Sequence, residues 1–145
     1  MKKILVIIAI ISSVLLSGCS LLEEVNNSLE YANKATEHIN TWQDFGQEAP
    51  QMIQEAATNS ETKQELEAEL NALLEEIDEF NETEPPAIAA DLHQQIVEKN
   101  EALKEIINDA MVNGELALEE LQNSELITTI NEITKLMNLV EDLGN

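Results

Sequence analysis

Few residues in this 145-residue chain are equipped for chemistry. Cys19 is the sole thiol, and His38 and His93 are the only imidazoles that could serve as bases. No serine sits in a Gly-x-Ser-x-Gly turn, and no glycine-rich loop precedes a helical stretch. His-Glu-x-x-His is absent, as is an Asp-rich calcium loop with a central glycine. Asp91-Leu92-His93 offers two metal ligands, but neighbouring helical positions point in divergent directions. The 29 acids put paired carboxylates on every outward helical face, so no pair marks an acid–base couple. We therefore expect no enzyme, no cofactor and no metal centre. One grouping stands out. Tyr31, His38 and Phe45 recur every seven residues, with Trp42 one turn from both His38 and Phe45. This aromatic face is read first as core packing, with a ligand or partner groove as the alternative.

Cys19 has a different use. Two lysines, thirteen mostly apolar residues from Ile4 to Leu16, and then Ser17-Gly18 lead up to it. The apolar run is shorter than the ~20 residues that span a bilayer and suits the core of an export signal. Leu16-Ser17-Gly18-Cys19 resembles the lipobox of bacterial lipoproteins, in which the cysteine is acylated and becomes the mature N-terminus. That resemblance divides the chain into a signal peptide, 1–18, and a domain, 19–145, attached to the membrane through a diacylglyceryl group on Cys19. With no second cysteine there is no internal disulfide. Two acyl chains, palmitate or similar, hold durably where one would not.

Removal of Lys2 and Lys3 with the signal leaves five lysines against 29 acids, a formal charge of −24, and there is no arginine. Such a chain repels phosphate backbones and anionic headgroups, which excludes nucleic-acid binding and a polybasic membrane footprint. The charge is read as a solvated, self-repelling surface, with collection of divalent cations as the alternative. The acids are mostly Glu, a good helix former, and the apolar residues recur at helical spacing rather than vanishing as in a disordered acidic chain.

The elements follow from that spacing. Leu22, Val25, Leu29, Ala32, Ala35, Ile39 and Trp42 predict one long helix from Leu21 to about Glu48, in which Gly46 is the only breaker, with Pro50 opening a short second helix that carries Met52 and Ile53. Trp42 is then expected to plug the membrane-distal end of the fold. Thr58-Asn59-Ser60 offers caps for a helix over 61–82 with the stripe Leu66, Leu70, Leu73, Ile77 and Phe80. Pro85-Pro86 ends it. A third stripe runs to about Val112, polar for one turn at Lys99-Asn100; we read an edge position with a snorkelling lysine there, ahead of an asparagine in the seam. Asn113-Gly114 stops that helix, a short piece follows over 116–121, and Ser124 caps a last helix that reaches Gly144. The fold class is all-α: an antiparallel bundle of about four main helices plus short pieces.

Phe80-Asn81 through Pro85-Pro86 to Leu92-His93, with the lipobox and the acidic helical body, resembles the small uncharacterised helical lipoproteins of low-GC Gram-positive bacteria. The resemblance implies fold and place only: an anchor in the outer leaflet of the cytoplasmic membrane, on its extracytoplasmic face. The expectation is a non-enzymatic cell-envelope lipoprotein that binds another protein. The alternative is a small-solute or divalent-cation binding module.

Overall fold

The computed structural model describes the backbone of residues 2–143 and the side chains of residues 25–143. The tetrad Leu16-Ser17-Gly18-Cys19, Leu22 and Gly144 therefore lie outside the described side chains. Among the described residues there are six α-helices: α1 (Lys2–Ala56), α2 (Ser60–Asn81), α3 (Ala90–Ala110), α4 (Leu118–Asn123), α5 (Leu126–Thr134) and α6 (Met137–Leu143). A 3₁₀ turn, Ala87–Ala89, leads into α3.

Side-chain pairs fix the directions. His38 of α1 meets Glu76 of α2, Asn81 of α2 meets Glu101 of α3, and Lys104 of α3 reaches back to Asp78. Rising numbers on one helix thus face falling numbers on the next. Tyr31 with His93 and His38 with Asn100 set α1 and α3 parallel. The segment α4–α5–α6 closes the fourth corner, with α5 lying against both α1 and α3. The result is an antiparallel all-α bundle, as the stripes imply.

Heptad-like spacing builds its core. Leu66, Leu70, Leu73, Ile77 and Phe80 are buried on α2, and Leu92, Ile96, Leu103, Ile107 and Ala110 on α3. Asn59 caps α2 by accepting the N–H groups of Glu61 and Thr62. That helix forms as its pattern predicts.

The first expected boundary does not exist. α1 runs unbroken through Gly46 and Pro50 to Ala56. A proline inside a helix loses one hydrogen bond and crowds the carbonyl four residues back, a cost of ~3 kcal/mol. Beyond it, however, Ile53 is buried with Ala49 and Ala56, and Met52 packs against the core. Burying Ile53 alone returns about 1.5–3 kcal/mol, so the helix continues. Gly46 serves a different purpose: a Cβ there would lie 2.7 Å from Ile130 Cγ2, so its bareness lets α5 approach α1.

Two further expectations are corrected. Helix α3 ends at Ala110, and Met111–Val112 pairs with Glu115–Leu116 as a minimal antiparallel hairpin, β1 and β2. Its two-residue turn is Asn113-Gly114, with φ of 54° and 83°, the positive values that a type I′ turn demands. The last expected helix is two. Thr129 and Thr134 donate their hydroxyls to the carbonyls of Glu125 and Ile130, a back-bonding that bends helices. At Leu136 the N–H turns to Ile133, one residue short of the α pattern, and α6 begins after it.

Candidate functional site

Tyr31, His38, Trp42 and Phe45 are all buried, none more than 3 % exposed. The continuous helix α1 carries them into the bundle at intervals of one and two turns. They do not form one group. Tyr31 and His38 join through residues from other helices: His38 stacks on Phe80 at 4.2 Å between ring centroids, and Tyr31 meets His93 edge-on at 5.7 Å. Phe80 also lies 5.4 Å from His93. Trp42 and Phe45 make a separate T-shaped pair, 6.1 Å apart. Trp42 sits fourteen residues before the end of α1, in the interior of the bundle rather than at its distal end.

A polar chain threads this core. Asn81 donates to Glu101 Oε1 at 2.8 Å, which leaves Asn81 Oδ1 to accept from Asn100 Nδ2, also at 2.8 Å. Asn100 Oδ1 is then turned to His38 Nε2 at 2.9 Å, and Glu76 Oε1 lies 3.2 Å from His38 Nδ1. Carboxylates accept only, so the chain has a fixed direction from both ends and presents His38 with an acceptor at each ring nitrogen. Asn100 is wholly buried. It is thus a seam residue, and the edge reading of Lys99-Asn100 holds only for Lys99, which reaches out to Glu132 at 2.9 Å. That hydrogen bond raises Lys99 above the ordinary lysine value and lowers Glu132 below the ordinary carboxyl value.

The second histidine is held differently. Tyr31 Oη lies 3.2 Å from His93 Nδ1. Burial pushes His93 below its ordinary value and pushes Tyr31 far above its own. Burial thus favours the protonated phenol and the neutral imidazole in this pair. Among the described residues no group of three or more His, Cys, Asp or Glu could hold a metal ion.

The outward face of the cluster is a surface depression of about 380 Å³. His38 and Phe80 contribute to it from the core, with Lys34, Glu37, Glu76 and Glu79 around them. Sequence reasoning missed Phe80 and Asn100 as partners of His38, and Asn81 behind Asn100. The one signal for them was the polar turn in the α3 stripe. Among the described residues 25–143 no helix is long and apolar enough to cross a membrane.

Known proteins are similar to this chain in sequence. Residues 31–143 match the model of a family of unknown function, DUF6376, and cover the whole bundle from Tyr31 onward. The chain is 34 % identical over 147 residues to the uncharacterized lipoprotein YybP of Bacillus subtilis (strain 168), covering 99 % of each chain. No solved structure matches. A membrane-anchored lipoprotein of all-α fold, the chain belongs to the DUF6376 family of unknown function.

Proposed function

We propose that the protein is held on the extracytoplasmic face of the cell membrane by a diacylglyceryl group on Cys19, and that its bundle is a non-enzymatic module that binds another envelope protein. The observation that carries this reading is the burial of Tyr31, His38, Trp42 and Phe45. The side chains best suited to grip a small molecule are committed to packing and to internal hydrogen bonds. What remains outward is a set of acidic helical faces, Glu75 and Glu79 of α2 among them, which suits a partner with positively charged patches. Cation or solute binding, the alternative, has as its place the depression flanked by Glu37, Glu76 and Glu79.

Two measurements test the reading. Cys19→Ala is expected to abolish lipid labelling and leave an unprocessed precursor; a mutant that still matures at the same site with lipid attached excludes Cys19 as the anchor. Photo-crosslinkers at positions 75 and 79 in cells are expected to capture one protein reproducibly. No capture, together with a calcium- or magnesium-dependent rise in melting temperature beyond that of ionic strength alone, transfers the reading to cation binding.

A further inference from the structure

The apolar stripe of α1 does not stop where the bundle stops. Ala32, Ala35 and Ile39 are buried, but one and two turns earlier on the same line Leu29 is 43 % and Val25 is 53 % exposed. The cover ends because the α2–α3 junction turns back there: Thr83 to Pro86 line a depression together with Asn27, Glu30 and Tyr31. Just beyond that junction Ile88 is 67 % exposed, while its neighbour Ala89 is buried. Five large apolar side chains are exposed among the described residues, and three of them, Val25, Leu29 and Ile88, lie at this one end.

This is also the end from which the chain is tethered. Val25 follows Cys19 by six residues of continuous helix, about 9 Å at 1.5 Å per residue. A side chain so placed is near enough to an acylated Cys19 to reach the headgroup–acyl boundary once the helix leans toward it. We infer that the bilayer itself covers this patch: the bundle leans so that Val25, Leu29 and Ile88 enter the interface beside the anchor. The inference rests on the Cys19 reading. Exposed Glu30 and Glu84 flank the patch, so the lipid surface it fits is zwitterionic rather than anionic.

Full-length protein carrying Val25→Trp, Ile88→Trp or Val112→Trp is reconstituted in phosphatidylcholine vesicles and in the same vesicles with brominated acyl chains. Trp42 is a constant background, and all three positions are at least half exposed, so helical circular dichroism is expected to be unchanged. Rings seated ~5–10 Å into the boundary lose about half their added emission to bromine at positions 25 and 88, while the ring at position 112 on the hairpin loses none. Equal quenching at all three positions overturns the inference. So does emission at 25 and 88 that is water-shielded yet unquenched in a protein that sediments as a dimer, since a second copy then covers the patch. Intact mass of the same samples reports whether Cys19 is acylated. A chain that begins at residue 19, carries no acyl group and still shows the quenching pattern refutes the anchor residue and leaves the patch standing, whereas such a chain that does not bind vesicles at all refutes both.

Discussion

Trp42 Nε1 is the one buried side-chain nitrogen without a hydrogen-bond partner among the described residues. Its indole is present for its volume, and the N–H is a cost carried with it. Trp42→Ala is expected to lose ~3–5 kcal/mol, a large share of a domain's ~5–15 kcal/mol. Trp42→Phe keeps a ring and removes the orphaned donor, so it should lose much less; denaturant unfolding of both variants checks the ranking, and equal losses would show that the N–H has an unseen partner. His93 responds to pH instead. Its folded value is lowered by burial, so its contribution is full above the ordinary 6.5 and is lost as pH falls through the folded value. His93→Phe, which keeps the edge contact with Tyr31 and cannot titrate, is expected to flatten the fall in melting temperature below pH 6.5; an unchanged pH profile would assign that fall to other groups. Burial of Trp42 was legible from its place in a stripe. The polar chain was not, because Asn100 meets His38 across 62 residues of sequence and neither residue alone announces the pairing.

At the scale of elements, α1 shows what local rules miss. Gly46 and Pro50 read as punctuation, yet one is a contact surface and the other an exposed residue that the helix tolerates. Alanine is worth ~0.5–1 kcal/mol over glycine in a helix, but at position 46 its Cβ meets Ile130, and overpacking costs ~1–3 kcal/mol. Gly46→Ala is therefore expected to destabilise, and Pro50→Ala, which restores a donor for the Gly46 carbonyl at a solvent-facing site, to stabilise by ~1–3 kcal/mol. A loss of stability in Pro50→Ala would show that the proline acts mainly by restricting the unfolded chain. Helix α2 was legible almost to the residue because stripe, cap and the following prolines agree. The division between α5 and α6 was not: its apolar stripe continues through the break, and only threonine hydroxyls turned onto the backbone record it.

Charge acts on the molecule as a whole. Glu69 is half buried near Glu48, and burial first, then that neighbouring carboxylate, raise it above the ordinary carboxyl value. A raised acid destabilises the folded state above its folded value, and the penalty fades as pH falls through it. Glu69→Gln is expected to raise the melting temperature at neutral pH, with the gain vanishing in acid; a melt series across pH measures it, and a gain that persists in acid would point to packing instead. Added salt should stabilise the parent protein in the same direction, since a formal −22 is screened. The all-α class and the acidic surface were legible from composition and period alone, while the four-cornered closure depends on contacts between α1 and segments far along the chain. That closure bears on how the protein is made. Synthesis delivers α1 first, and its buried face, packed first by α2, is completed by α5 and α6, which arrive last. Until then α2 covers only part of that face, and a nascent chain stalled before residue 126 leaves the remainder of the stripe that holds Ile39, Trp42 and Phe45 open to holdases and proteases. Closure of the bundle waits for the final segment, so the exposure of apolar surface is concentrated before synthesis ends rather than in the finished bundle.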